Sequence, residues 1–335
     1  MRKPVIGIIL GDATGVGPEI VCKMLDATRK RTDFRPIVIG NEAVLKAGMR
    51  HAGKELEYRI LSKMEEISDL TGEDSLILYD NGRFDPGDLA APTKELGNSI
   101  IEMIKAAVEM VDAGLIDAIV YAPINKSWIN LANPDFSDEM QLFKHFTNCD
   151  GLCLEMNHCH DVWTARVTGH VPLMQVSKYL SVERILEVVT LTDKCLRDLG
   201  IANPRIYVAA LNPHGGEGGL FGTEEIEIIT PAVEAARKRG MNVLGPYPAD
   251  TVFHRAFAGE CHAVITMYHD QGQIALKTKG FGEGVTMLAG LPIIALTPAH
   301  GVGYDIAGKG IANHIPMLNT VNVAVSMVRQ KERID

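Results

Sequence analysis

"IYVAALNPHGGEGGLFGTEE", Ile206–Glu225, is the stretch from which the rest of the chain is read. Arg205–Leu211 has the length and apolar content of a buried strand. The strand runs into a histidine, His214, and then into glycines at 215, 216, 218, 219 and 222 before a helical pattern starts at Thr223. Glycine lets the main chain approach a ligand closely, so a histidine amid bare backbone at the mouth of a strand suits binding. The pattern recurs. His170 closes "VWTARVTGH" (Val162–His170), and His269 lies in "VITMYHD" (Val264–Asp270). In an open α/β sheet the carboxyl ends of strands gather along one edge, where ligands bind. Three neutral imidazoles meeting there make a divalent-metal site with positions left for substrate. Any one of them alone reads better as a packed or capping histidine; recurrence at the same topological position points to a ligand set. Asp270 is placed to orient His269 or to bind the metal indirectly. A second cluster (Cys149, Cys153, His158, Cys159, His160) matches no standard zinc spacing and reads as a hairpin turning at 157–161.

Outward from these points, short apolar runs alternate with amphipathic stretches. Val5–Leu10, Pro36–Ile39, Ala118–Tyr121, Ala263–Met267 and Pro292–Leu296 read as further strands. Ile100–Val111, Val182–Leu199, Thr223–Arg239 and Ile315–Val328 read as helices. Such alternation predicts a mostly parallel sheet with helices on its faces, the α/β class. The 335 residues suit two domains or one large α/β unit. With 46% hydrophobic and 22% charged residues the chain can bury a sizeable core and is not a disordered protein. A net charge of −9 argues against a nucleic-acid surface and leaves a small anionic substrate open, because a pocket needs only a few local cations. The apolar part of "MRKPVIGIILGDATG" is too short for a signal peptide or a membrane span and reads as a first strand. Six scattered cysteines lead us to expect reduced thiols and a cytoplasmic protein that meets neither nucleic acid nor membrane.

Two glycine-rich loops stand out. "GDATGVGPE" (Gly11–Glu19) follows the first strand, with Pro18 suited to a first helical turn. It lacks the GxGxxG spacing, and a tight βα turn accounts for it as well as a nucleotide loop does. "TPAHGVGYDIAGKGIANH" (Thr297–His314) is glycine-rich backbone around an acid, Asp305, which could accept hydrogen bonds from ribose hydroxyls and would repel a 2′-phosphate. That favours NAD over NADP.

This loop resembles the adenosine loop of isopropylmalate and isocitrate dehydrogenases. With "GDATGVGPEI", "YAPINK", "VTGHVPL", "GPYPADTVF", "MYHDQGQIALKTKGFGEGV" and "DIAGKG", the chain resembles the related 4-hydroxythreonine-4-phosphate dehydrogenase family over nearly its whole length. "NPHxGE" together with "MYHDQG" is the specific part of the match. The resemblance implies the isopropylmalate-dehydrogenase-like fold, two α/β/α lobes with a cleft. One lobe would comprise residues 1–128 and 297–335 and carry the dinucleotide loop. The other, residues 129–296, would carry the metal and substrate residues and the interface of a homodimer whose metal site uses both subunits. It implies one divalent ion (Zn2+, Co2+ or Mg2+) on His170, His214 and His269. NAD would lie against His300, Gly301, Asp305, Ile306, Gly308 and Asn313. Lys277 would bind substrate, with Asp250 and Asp270 handling charge and protons beside it. Lys126 in "YAPINK" and Asp12 in "GDATG" would be cleft residues. The reaction implied is metal-assisted, NAD-linked oxidation of the hydroxyl of a 3-hydroxy acid, followed by loss of CO2.

The chain departs from this family at the substrate. Where the family carries "GHTE", the sequence reads "PDFSDEMQLF", placing Asp138 and Glu139 at the two substrate-contacting positions. The family's asparagine is Thr286 here, and its arginine is Ala295. Carboxylates beside a desolvated phosphate repel it. A sugar-acid 4-phosphate or an unphosphorylated cis-dihydrodiol carboxylate is therefore an alternative substrate. Otherwise Arg166, Lys144 or Lys279 restores the missing cation from a new position. A phosphate acyltransferase of the same fold needs neither the histidine trio nor the adenosine loop, so both features argue against that reading.

Overall fold

The computed structural model describes residues 2–68, 75–87, 93–280 and 282–334. They form two compact units, Met1–Gly151 with Leu291–Asp335, and Leu152–Gly290.

The first unit opens with β1 (Val5–Ile9), α1 (Gly17–Thr28), β2 (Arg35–Ile39), α2 (Glu42–Ala52), β3 (Tyr58–Leu61), α3 (Glu65–Ser68) and β4 (Leu76–Tyr79). It continues through α4 (Lys94–Asp112), β5 (Ala118–Tyr121), α5 (Lys126–Ala132) and α6 (Glu139–Phe146). The second unit holds β6 (Leu154–Cys159), β7 (Val162–Arg166), α7 (Val182–Asp198), β8 (Ile206–Ala209), α8 (Thr230–Lys238), β9 (Val243–Tyr247), α9 (Ala249–Phe257), β10 (Ala263–Thr266), α10 (His269–Gly280) and β11 (Val285–Ala289). The chain then returns to the first unit for β12 (Ala295–Pro298) and α11 (Ile315–Ile334).

Within the first unit the strand order is β3-β4-β2-β1-β5-β12, parallel throughout. Ile6, Ile8, Ile37, Val38, Ile77, Leu78, Ile119 and Val120 are fully buried, the continuous apolar pattern of strands covered on both faces. Within the second unit the order is β11-β6-β7-β10-β8-β9. There β6 pairs antiparallel with β11 and β7, while β7, β10, β8 and β9 run parallel. The fold is thus mixed α/β with mostly parallel pairing, as the alternation of strands and helices requires. The expected hairpin is β6–β7, with a tighter turn at His160–Asp161. The last strand lies at Ala295–Pro298 rather than 292–296. The helix expected at 223–239 begins as a π-helical turn, Glu225–Ile229, before α8.

The units divide after Gly151 and after Gly290, not after 128 and 296. Helix α5 packs on α4 so closely that a Cβ on Gly97 would lie 2.1 Å from the Trp128 carbonyl oxygen, and α6 packs on α4 as well. This holds 129–151 in the first unit. At the other boundary Ala295 pairs with Ile119 of β5. Among the described residues no helix is long and apolar enough to cross a membrane.

Candidate active site

Strands β7, β10 and β8 are parallel neighbours, so their carboxyl ends share one edge. His170, His269 and His214 each lie just beyond one of these ends. The ends are locked together by side chains. Thr168 Oγ1 and N both donate to the Met267 carbonyl (2.8 and 3.2 Å). Gln271 Oε1 accepts from Met267 N (2.8 Å), and its Nε2 donates to the Ala210 carbonyl (2.9 Å). Gln271 thereby ties the start of α10 to the ends of β10 and β8. Beyond β8 the buried Glu225 carboxylate accepts from Leu211 N and Asn212 N (2.8 Å each) and from Asn212 Nδ2 (3.0 Å). Residues 214–218 then all take positive φ, one left-handed turn in which His214 (φ 53°) and Glu217 (φ 46°) are not glycines. Each such residue costs on the order of 1–2 kcal/mol, a strain that clusters at functional sites. The glycines also serve packing. A Cβ on Gly216 would lie 2.7 Å from Glu225 Oε2, and one on Gly222 would lie 2.4 Å from Asn212 Nδ2. Sequence reasoning quoted both motifs but assigned neither Gln271 nor Glu225.

The His170 and His269 rings stand with centroids 5.4 Å apart. Asp270 Oδ1 lies 2.7 Å from His269 Nδ1, which leaves Nε2 as the nitrogen free to take a ligand. The His214 ring instead faces Phe221 (6.3 Å) and Glu217 Oε2 (3.4 Å from Nδ1). Among the described residues of the chain, no three His, Cys, Asp or Glu side chains are grouped to hold a metal. One chain therefore brings two of the three expected ligands together. Two imidazoles, one backed by a carboxylate, are a donor set that fits a borderline divalent cation.

His269, Asp270, Gln273, Ile274, Lys277 and Thr278 line an open groove of about 370 Å3 along α10. Asp270 and Lys277 lie two turns apart on one face of the helix. Asp250 is exposed in the first turn of α9, a helix that packs against the Pro213–Gly219 turn. Thr286 is buried on β11 opposite Asn157 of β6, and its Oγ1 accepts from Asn157 Nδ2 (2.8 Å). Asn157 Oδ1 accepts from Gln273 Nε2 (2.6 Å) and Arg166 Nη1 (3.0 Å), and Arg166 also pairs with Glu155. This network anchors α10 to the sheet. It also commits the Arg166 guanidinium internally. Lys144 Nζ donates to the Gly151 carbonyl (3.0 Å), and Lys279 lies over the Phe257 ring (5.5 Å). None of these three cations stands in the groove along α10. In the metal-like cluster of the hairpin, His158 stacks on Trp163 and Cys159 Sγ faces the Gly280 carbonyl.

In the first unit the Thr297–His314 loop is held by α1 and its leader. Val16 N donates to the Val302 carbonyl (2.8 Å). The buried Glu19 accepts from Gly310 N (3.3 Å), Ala312 N (2.9 Å) and Lys23 Nζ (2.7 Å). A Cβ on Gly15 would lie 2.7 Å from the Val302 carbonyl oxygen, so a glycine of the "GDATG" turn seats this loop. Gly301, Asp305, Gly308 and Asn313 are exposed, and Ile306 is half-buried. His300 Nδ1 faces the Gly301 carbonyl (2.9 Å), which assigns the proton to Nδ1. Its Nε2 is buried with no hydrogen-bond partner among the described residues, an open acceptor. Burial pushes the imidazolium below its ordinary range, which keeps the ring neutral. An open acceptor, exposed glycine backbone and an exposed carboxylate fit a nucleoside. Asp138 caps α6, its Oδ1 accepting from Gln141 N (3.0 Å). Glu139 Oε2 lies 3.7 Å from Lys126 Nζ, so one of the two unexpected acids faces a cation.

The family model described as "Pyridoxal phosphate biosynthetic protein PdxA" matches residues 32–324. A Rhizobium meliloti (strain 1021) protein, provisionally named 4-hydroxythreonine-4-phosphate dehydrogenase 2, is 42% identical over 335 residues, covering 99% of this chain and 96% of its own. One from Oceanobacillus iheyensis, provisionally named D-threonate 4-phosphate dehydrogenase, is 37% identical over 336 residues, covering 98% of this chain and 99% of its own. The crystal structure of 4-hydroxythreonine-4-phosphate dehydrogenase from Klebsiella pneumoniae superposes with a TM-score of 0.84 at 32% identity, covering 98% of each chain. A match of this extent, in sequence and in fold, places the chain in the pyridoxal phosphate biosynthetic protein PdxA family, as a dehydrogenase acting on a CH–OH group.

Proposed function

We propose that the chain oxidises the hydroxyl of a four-carbon 3-hydroxy acid bearing a 4-phosphate, with NAD as acceptor and one divalent cation, and that the keto acid formed loses CO2. The observation that carries this reading is the alignment of His170, His269 and His214 at the ends of three adjacent parallel strands. His170 and His269 of one protomer would hold the cation, and His214 of a second copy would complete the set, in a homodimer. The second unit exposes Leu173, Met174, Leu220, Phe221 and Ile274 in the segments around these histidines, an apolar surface that a second copy would cover.

When bound, the cation would supply Lewis acidity toward the hydroxyl and NAD the hydride acceptor. The chain's own residues do the rest. Asp270 fixes the tautomer and aim of His269. Lys277, on the same face of α10, offers an ammonium to the acid's carboxylate and a proton donor for the carbon that loses CO2, with Asp250 and Asp270 as the acids that relay protons. In the first unit Lys126, beside Glu139 and near the Asp138 cap of α6, offers a cation to an anionic group; in the second, Thr286 is held on β11 by Asn157. In the loop, His300 Nε2 accepts from the base, Asp305 from the ribose, and Gly301, Ile306, Gly308 and Asn313 line the nucleotide.

A second reading, an unphosphorylated hydroxy acid, is favoured by one observation. Ala295 is fully buried with no polar side chain, and Thr286 is buried with its Oγ1 accepting from Asn157 Nδ2, so neither position supplies the guanidinium or the amide that the family carries there. NADH formation across a panel containing 4-hydroxythreonine 4-phosphate, D-threonate 4-phosphate and an aromatic cis-dihydrodiol carboxylate, with and without added Zn2+, Co2+ or Mg2+, decides between them. Metal-dependent turnover of a phosphorylated four-carbon acid is expected. Turnover of the dihydrodiol alone would establish the second reading, and no turnover of any compound would remove both.

A further inference from the structure

Asp12 is fully buried and accepts four hydrogen bonds. Thr14 N (2.9 Å) and Thr14 Oγ1 (2.6 Å) reach Oδ1. Trp128 Nε1 (2.9 Å) and Tyr304 Oη (2.6 Å) reach Oδ2. The donors come from three segments far apart in sequence: the "GDATG" turn, α5 and the Thr297–His314 loop. The Tyr304 hydroxyl has a second partner, accepting from Asn125 Nδ2 (2.7 Å). Asn125 in turn caps α5, its Oδ1 accepting from Ser127 N (2.9 Å). One phenol oxygen thus joins the loop to the first turn of the helix that carries Lys126.

The tie is specific to the hydroxyl. The Tyr304 side chain is 44% exposed, so ring burial does little to hold it. A hydroxyl donating to a buried carboxylate is a charge-assisted bond, about twice as strong as a neutral one, and it strengthens within a network. The two ends of the loop are fastened separately, by Val16 N to the Val302 carbonyl and by Glu19 to the amides of Gly310 and Ala312. Tyr304 is the fastening between them, next to Asp305.

We propose that Tyr304 is a positioning residue: its hydroxyl, held between Asp12 and Asn125, sets the 299–306 backbone for the dinucleotide and ties it to the segment bearing Lys126. The inference rests on the reading of this loop as the NAD site. Tyr304→Phe removes the hydroxyl and leaves the ring. Titration calorimetry with NAD alone should show affinity weakened about tenfold, the worth of one such bond. The KM for NAD should rise by a similar factor, with a smaller change in kcat. Amide exchange in 299–306 should quicken while the melting temperature of the chain moves little. Combined with Asp12→Asn, the loss should be less than the sum of the two single losses, because both variants break one contact. Wild-type NAD affinity in Tyr304→Phe overturns the proposal. Asp305→Ala separates this from failure of the NAD reading. If it weakens NAD binding and Tyr304→Phe does not, only the positioning role falls. If neither variant weakens binding, the loop is not the dinucleotide site and both fall.

Discussion

His158 is enclosed against Trp163, ring centroids 4.6 Å apart, at the closed end of the β6–β7 hairpin. Burial pushes its imidazolium down to about 4 from an ordinary 6.5. Below 6.5 the unfolded chain takes up a proton that the folded chain refuses until about pH 4. Stability contributed by the neutral ring is therefore fully present above 6.5 and lost as pH falls through that window, roughly 3 kcal/mol in total. His158→Phe keeps an aromatic surface on Trp163 and should flatten the stability–pH curve between pH 6.5 and 4. An unchanged acid limb, measured by denaturant unfolding across that range, would show that another group sets it. The sequence offered His158 as a weak metal candidate; burial against an aromatic neighbour is a tertiary fact that no local spacing encodes. Asp12 is similar. It was legible as a residue of a glycine-rich turn near the site, but two of its four donors, Trp128 Nε1 and Tyr304 Oη, come from parts of the chain that only folding brings together.

The elements show where pattern suffices. Strands β1, β2, β5, β8 and β10 lie where short apolar runs predict them, because strands buried on both faces have no polar positions to blur their ends. The Pro292–Leu296 run slides to Ala295–Pro298, since apolar content alone does not fix register against β5. The turn after β8 was legible as glycine-rich backbone around a histidine. Its left-handed geometry was not, because His214 and Glu217 are residues that seldom adopt it. The Glu225 carboxylate, on the Leu211 and Asn212 amides, anchors the backbone that enters the turn. Glu225→Ala leaves these half-buried donors unpaired and should cost about 2–4 kcal/mol, read as a lower urea midpoint at unchanged slope. It should also weaken metal binding through the displaced His214. A variant as stable as the parent, with unaltered metal affinity, would remove Glu225 from the support of the turn.

At the scale of the whole molecule, the mostly parallel α/β architecture and the family were both readable from motifs spread along the chain. The unit boundaries were less so, because the packing of α5 and α6 on α4 depends on close contacts such as that at Gly97. The placement of His170, His214 and His269 beyond strand ends was legible, and β7, β10 and β8 are neighbours. That one chain pairs only His170 with His269 was not legible, because periodicity does not say how far a turn carries a side chain from its strand. The reading that unites these facts is a cation held by two histidines of one protomer and His214 of a second. It is tested most directly by the metal content of purified His214→Ala, purified His269→Ala, and the two unfolded and refolded together. Each variant alone should bind little Zn2+, and the mixture should regain it, because a mixed dimer contains one intact set of three. Full metal in either single variant, or no recovery on mixing, would contradict the account.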